Sequence, residues 1–214
     1  MRPWGLVPVL CAVLTAPVSA RAQEDPFLLD GLLATASPTL RATDAVGRYA
    51  TVLDGEALRA RGVSLLADAL RTVPGLAVVR GGSFGAATSV FLRGGESDYV
   101  QVLVDGVQVN QPGGAFDFSG LSLDNVERIE VIRGPASSLF GSDAVAGVIH
   151  VITRTGRGSP SGSLAMRAGS YGRRELSASV SGGGSTAGWA FSLGRIRTDG
   201  VLPFNNASHN TVLS

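Results

Sequence analysis

Charge is scarce in this 214-residue sequence and lysine is missing altogether: 16% of residues are charged, and all 18 cationic side chains are arginines. With 29 glycines beside so few charges, the composition excludes a bundle of long solvated helices and suits short strands and tight loops. There is one cysteine, Cys11. No apolar run approaches the roughly 20 residues that a membrane-crossing helix needs. The longest, Leu6 to Val18, is too short. The 44% share of hydrophobic residues excludes a mainly disordered chain and leaves room for a real core.

The first 22 residues read as an export signal. Arg2 precedes the apolar run, and Ala20-Arg21-Ala22 offers small residues at the two positions a signal peptidase reads, which predicts cleavage before Gln23. Cys11 lacks a small residue before it, so a lipoprotein site does not fit. Cleavage would remove Arg2 and Arg21 and no acid, leaving 16 basic against 17 acidic side chains. A net charge of −1 implies no nucleic acid or other polyanion as partner. The only cysteine leaves with the signal, so the exported chain has neither a disulfide nor a thiolate metal site.

Beyond Gln23 a polar stretch runs to about Asp44. Its one apolar island is Asp30-Gly31-Leu32-Leu33-Ala34-Thr35-Ala36, which lacks helical periodicity and on its own reads equally as a tail. Arg48 to Leu53 predicts a strand leading to Asp54, which caps a short helix through Arg61 before Gly62 stops it. Ser64 is expected to cap a second helix whose apolar face is Leu65, Leu66, Ala69, Leu70 and Val73, ended by Pro74-Gly75. From Leu76 the period changes to two, with strands expected over Leu76 to Arg80, Ser89 to Arg93 and Tyr99 to Val104. Asp105-Gly106 between β-branched residues is the strongest hairpin signal in the chain. Val126 to Ile132 and Gly147 to Thr153 alternate as strands around a helical turn from Pro135 to Phe140-Gly141. The expected unit is a small α/β domain over 44–156.

From 157 onward the texture is different. Leu164, Met166 and Ala168 alternate with small or polar residues, as do Leu176, Ala178 and Val180, and then Trp189, Phe191 and Leu193. Glycine-rich turns separate the three sets. Segments of about ten residues with one apolar face are the pattern of a transmembrane β-barrel, with Trp189 suited to an interfacial belt. A soluble β-sandwich edge shows the same alternation. Three strands are expected over 157–214, and because no terminal aromatic strand precedes Ser214, the sequence is expected to be a fragment of a longer barrel.

Three ordered stretches carry a resemblance. Leu70-Arg71-Thr72-Val73-Pro74-Gly75-Leu76 comes first; Phe91-Leu92-Arg93-Gly94 then runs into Leu103-Val104-Asp105-Gly106-Val107. The third is Ile129-Glu130-Val131-Ile132-Arg133-Gly134-Pro135, continuing through Leu139 to Ala144 and Gly147-Val148-Ile149. In order and spacing they resemble the plug domain of TonB-dependent receptors, and Asp30 to Ala36 falls where that family carries its TonB box. Within the family, the box and the short loops Gly81-Gly82-Ser83 and Gly113 to Ser119 are similar to those of the cobalamin receptor subgroup. Siderophore and haem receptors share the framework motifs.

The resemblance implies an α/β plug followed by the first strands of an antiparallel transmembrane barrel in the outer membrane of a Gram-negative bacterium. It implies a scarce, large nutrient as ligand, cobalamin by subgroup and a ferric siderophore or haem as the alternative, imported with energy from TonB and without a cofactor. TonB would pair with Asp30, Gly31, Leu32, Leu33, Ala34, Thr35 and Ala36 by strand addition, and lipid would surround the barrel. Arg93 and Arg133 would meet acids on the inner barrel wall, where a free plug would leave them solvated. Ligand contact is expected from the loops bearing Ser83, Phe84, Asp98, Asn110, Phe116, Asp117 and Phe118. Each phenylalanine also has a reading as core, and the isolated acids make no metal site. A simple uptake receptor is favoured over a signalling one, because only a few residues separate Gln23 from Asp30.

An enzyme reading fails on local grounds. Gly81-Gly82-Ser83-Phe84-Gly85 has nucleophile-elbow spacing, but Ala86 to Arg93 is β-branched where an elbow needs a helix. His150 and His209 have no cysteine or acid at metal-ligand spacing.

Overall fold

The computed structural model describes residues 50–214 apart from 112, 185–186 and 202–206, together with the backbone of 32–33 and 41–42. The expected export signal and most of the apolar island lie outside the described residues. Of that island, Leu32–Leu33 forms β1, which pairs antiparallel with β2, Arg41–Ala42.

Strand β3, Ala50–Asp54, runs into helix α1, Gly55–Ala60. The Asp54 carboxylate accepts from the Ala57 amide at 2.6 Å, which satisfies one of the orphan donors of the first turn. Gly62, at φ +82°, turns the chain away. Helix α2, Leu66–Leu70, is not capped by Ser64 as expected: its N-cap is Leu65, with no side-chain bond. The Leu66 amide donates instead to the Leu121 carbonyl at 2.9 Å. A tertiary contact supplies what the cap would have, and the Ser64 hydroxyl is released for another partner.

Strands β4, Leu76–Arg80, and β5, Thr88–Leu92, make an antiparallel hairpin of their own. A 3-10 turn over Ser97–Tyr99 leads to β6, Val100–Val104, which returns through Asp105-Gly106 to β7, Val107–Gln108. Asp105 and Gly106 have φ of +48° and +83°, the two left-handed residues of a type I′ turn. Strand β8, Val126–Arg133, the short helix α3, Ser137–Phe140, and β9, Gly147–Thr153, complete the unit. The five strands lie in the order β3-β8-β9-β6-β7, with β6 and β9 parallel and the other pairs antiparallel.

The pleat of this mixed sheet divides its side chains between two faces. Ile129, Val131, Ile149, Val151, Val100 and Val102 point into the main core, against Leu58 of α1, Leu66 and Leu70 of α2, and Val90 and Leu92 of β5. Leu103, Ala136, Ala144 and Val148 make a smaller core on the other face. Gln101, Glu130 and His150 are also buried on that second face.

A separate sheet follows: β10, Ser161–Ala168; β11, Arg174–Gly183; β12, Gly188–Thr198; and β13, Ser208–Leu213. It is an antiparallel meander in sequence order and is open among the described residues. Four strands stand where three were expected. In β13 only Val212 and Leu213 are apolar, and the outward positions His209 and Thr211 break the alternation that marked the other three. Pairing with β12, from Thr198↔Ser208 to Leu193↔Leu213, makes it a strand.

Candidate functional site

The loops between strands gather at two places. Gly81 to Ala87 turns the β4–β5 hairpin, and the segment after β7 reaches the same end: the Phe118 amide donates to the Thr88 carbonyl, and the Asp117 carboxylate accepts from the Thr88 amide, each at 2.9 Å. Ser83 and Phe84 are half-buried in this cluster. Phe84 lies under the Arg173 guanidinium at 4.4 Å, with Arg80 at 5.7 Å. Gly120 accepts from the Asn210 side chain at 2.9 Å, so this loop end sits against the β10–β11 turn and the start of β13.

Several expected ligand residues turn out to serve the fold. Phe118 is 2% exposed and belongs to the main core, with Phe116 packed edge-on at 4.9 Å and half-buried. The core alternative applies to Phe118, which is sealed in the same cluster as residues of α2 and β5. Asn110 is buried: its Oδ1 accepts from the Val102 amide at 2.6 Å, and its Nδ2 donates to the Val100 carbonyl at 2.9 Å. The amide thus extends the ladder of β6 beyond its two-residue partner. Asp117 is exposed, yet it closes a local turn. Partial burial raises its pKa, but the amides of Thr88 and Ser119 and the Ser119 hydroxyl outweigh that and hold it below the ordinary carboxylate value. Asp98 is not in the cluster. It follows β5 at the opposite end of the hairpin, about 16 Å away along five residues of strand.

Arg93 and Arg133 meet at that other end. Arg93, at φ +52°, donates its amide to the Gly75 carbonyl at 2.8 Å, and its side chain passes Gly75 and Gly134. Arg133 donates from its guanidinium to the Pro74 carbonyl at 3.0 Å. Partial burial, and then the charge of Arg93, push Arg133 below its ordinary pKa. Two guanidiniums held this close form a focus of positive potential beside the Pro74-Gly75 corner.

Three polar arrangements were not foreseen. Glu175, on β11, points inward: it accepts from the Ser64 hydroxyl at 2.7 Å and pairs with Arg173 and with Arg167, the latter at 3.5 Å. An acid inside an apolar-polar alternation, two residues from an arginine, was the available signal. Arg59 donates from one nitrogen to the carbonyls of Leu123 and Val126, both at 2.6 Å, and burial first, then Arg154, lowers its pKa to about 10. On the second face, Glu130 is fully buried and accepts from Arg128 at 2.9 Å. Beside it, His150 Nε2 accepts from the Gly106 amide at 2.9 Å. No group of three or more His, Cys, Asp or Glu side chains suited to a metal occurs among the described residues.

The outer sheet has its polarity reversed. Leu164, Met166, Val180, Phe191, Leu193 and Leu213 are exposed on one face, while Ser192, Ile196 and Thr198 are buried on the face toward the mixed sheet. A β-sandwich edge would bury the large residues, so this is the polarity of a barrel wall. The decisive comparison concerns the mixed-sheet unit, where residues 43–148 match the profile of the TonB-dependent Receptor Plug Domain family. The chain is a member of the TonB-dependent receptor family.

Two curated relatives are similar to this receptor, both named Vitamin B12 transporter BtuB. The Vibrio vulnificus protein is 35% identical over 176 residues, 82% of this chain and 29% of that protein. The Photobacterium profundum protein is 35% identical over 184 residues, 84% of this chain and 30% of that protein. This chain therefore spans about 30% of their length. Among solved structures, the pyoverdine outer membrane receptor FpvA of Pseudomonas aeruginosa superposes with a TM-score of 0.69 at 19% identity, over 82% of this chain and 26% of that one. That likeness shows the fold. Receptors of this family sit in the outer membrane of Gram-negative bacteria, and an exposed apolar face such as that of β10 to β13 is what a barrel wall presents to lipid.

Proposed function

We propose that this chain is the N-terminal part of an active-transport receptor that binds cobalamin and imports it with energy delivered by TonB. The observation that carries the substrate is the 35% identity to the two vitamin B12 transporters across most of this chain. Ligand contact is assigned to the loop cluster of Ser83, Phe84, Phe116 and Asp117, where half-buried aromatic surface lies beside solvated polar groups. Phe118 and Asn110 support those loops from beneath. Arg93 and Arg133 are assigned to the contact between plug and barrel wall, since their positive charge is concentrated at one corner of the plug, to which an acidic patch on the wall would be complementary. The role is transport, with no catalytic residue assigned.

Asp30 to Ala36 is the proposed TonB box. Its Leu32–Leu33 is extended backbone paired with a two-residue strand, a form that can be exchanged for a partner strand.

The test is a chimera in which residues 1–214 precede the remaining strands of the Vibrio vulnificus relative. At fixed calcium, cobalamin should bind more tightly than a ferric siderophore; the reverse order would give the substrate to the siderophore class. In the same chimera Leu33→Pro removes a backbone donor and fixes φ near −65°. Energy-dependent uptake should fall to background while surface binding stays, and Leu33→Ala should do much less. Uptake equal to the parent would make Asp30 to Ala36 a mere tail.

A further inference from the structure

The lipid-facing side of β10 to β13 is apolar at one end and cationic at the other. Strand registers set its side chains in rows: Gly182 and Trp189; then Val180 and Phe191; then Leu164, Ala178, Leu193 and Leu213. The next row holds Met166, Leu176, Arg195 and Thr211, and the last holds Ala168, Arg174, Arg197 and His209. Arg174, Arg195 and Arg197 are all exposed, and none has a hydrogen-bond or ion-pair partner among the described residues. The neighbouring acid Glu175 faces the other way, bound by Arg167, Arg173 and Ser64. Asp199 lies in the connection beyond β12, against Gly172.

The contacts of the loop cluster orient these rows. Arg173 stacks on Phe84 and Asn210 bonds Gly120, so the arginine row lies at the ligand-loop end, and Trp189 lies at the opposite end beside Gly156. Along β12, Trp189 and Arg197 are about 27 Å apart at a rise of ~3.4 Å per residue. At the tilt of about 35–45° usual for barrel strands that separation projects to about 20 Å along the membrane normal, most of the roughly 25 Å apolar band of an outer-membrane barrel, with an aromatic girdle at one edge. The arginines then stand at headgroup level, where a cation on the lipid face costs far less than at mid-membrane.

Three unpaired guanidiniums on one face form a donor array suited to phosphate. Arg174 and Arg197 are direct cross-strand partners, which would repel each other without an anion between them. Between the arginines and Met166 and Leu176 lies an open depression of about 510 Å³. Apolar rows continue directly below it. We propose that this face binds a phosphate-bearing membrane lipid in the leaflet on the ligand-loop side, with Arg174, Arg195 and Arg197 holding the phosphate and Met166, Leu176 and Leu193 contacting the acyl chains.

The inference rests on membership of the family and goes beyond the transport reading, since it needs no particular cargo. The probe is diphosphoryl lipid A in phosphatidylcholine nanodiscs, bound to the completed chimera and measured against phosphatidylcholine alone. The parent should bind the phosphorylated lipid, and binding should weaken as salt rises. Replacing all three arginines by Gln should weaken it roughly a hundredfold, at roughly fivefold for each cation near the surface, while cobalamin or siderophore binding at the loops is unchanged. Arg→Lys at the same positions should keep most of it, and single Gln variants serve if the triple variant fails to insert. Equal binding by parent and Gln variants would overturn the proposal. So would full displacement by millimolar inorganic phosphate, which would make the patch a site for free anions. Failure of cobalamin to bind would leave this result standing and sink only the substrate reading.

Discussion

The mixed sheet and the outer sheet obey the same two-residue period and bury opposite faces. In the plug, Ile129, Ile149 and Leu70 are sealed from solvent; on β10 to β12, Leu164, Met166 and Phe191 are 67%, 74% and 62% exposed. The plug gathers its apolar side chains into its own core, whereas the outer sheet turns them outward, as a barrel wall does. Between the two, contacts are largely polar: Ser64 on Glu175, Arg167 on the Arg59 carbonyl at 3.3 Å, Asn210 on Gly120. Asp124 also lies against Gly194, where a side chain would collide with its carboxylate. Polar groups exchange such bonds with water at a net cost of only about 1 kcal/mol each. A plug seated this way has an apolar interior and a boundary held by polar contacts.

The largest effect should come from the plug core. Leu70→Ala removes a fully buried side chain between α2 and the sheet, and should cost about 2–5 kcal/mol of plug stability in denaturant unfolding. A loss under ~1 kcal/mol would mean that the plug interior is no better packed than the boundary. Next is the boundary itself. Glu175→Gln keeps the size of the side chain but weakens its bond to Ser64 across the boundary, Arg167 and Arg173 being its partners on its own side, and plug release should become easier by about 1 kcal/mol. A double-mutant cycle with Ser64→Ala isolates the 2.7 Å bond, and zero coupling energy would remove Glu175 from the seat.

A smaller effect is expected from acid. Burial pushes the pKa of His150 below its ordinary value of 6.5, against the opposing pull of Glu130 and Asp105. The unfolded chain therefore binds the proton more readily, and the stabilisation is present above about pH 6.5 and drains away as pH falls below it. Protonation would also remove the Nε2 acceptor from the Gly106 amide. The plug unfolding midpoint should drop between pH 7.5 and 5, with a flatter slope in His150→Gln; equal slopes would assign the acid sensitivity elsewhere. Least of all should follow from Leu164→Ala on the outer face, below ~1 kcal/mol in detergent unfolding. A loss as large as that of Leu70→Ala would show that this face is covered by protein.

Local chemistry was legible from the residues alone. Asp54 could be read as a cap because its carboxylate needs only the amide three residues on, and Asp105-Gly106 as a turn because its left-handed φ values are met by those two residue types. The alternation of β10 to β12 showed strands with one apolar face. The roles that depend on distant neighbours were not legible. Ser64 has the chemistry of a cap, and only the placement of Leu121 and Glu175 makes it a bridge. Asn110 and Phe118 look like loop residues until β6 and the core close over them. Strand β13 has too few apolar residues to declare itself, and its ladder comes from β12. Period, turn and cap are properties of a few adjacent residues, so the sequence by itself determined them. Which face of the outer sheet turns away from the plug, which loops gather at one end and which arginines stand unpaired among the described residues depend on chain segments brought together across more than a hundred residues, and only the tertiary structure decided them.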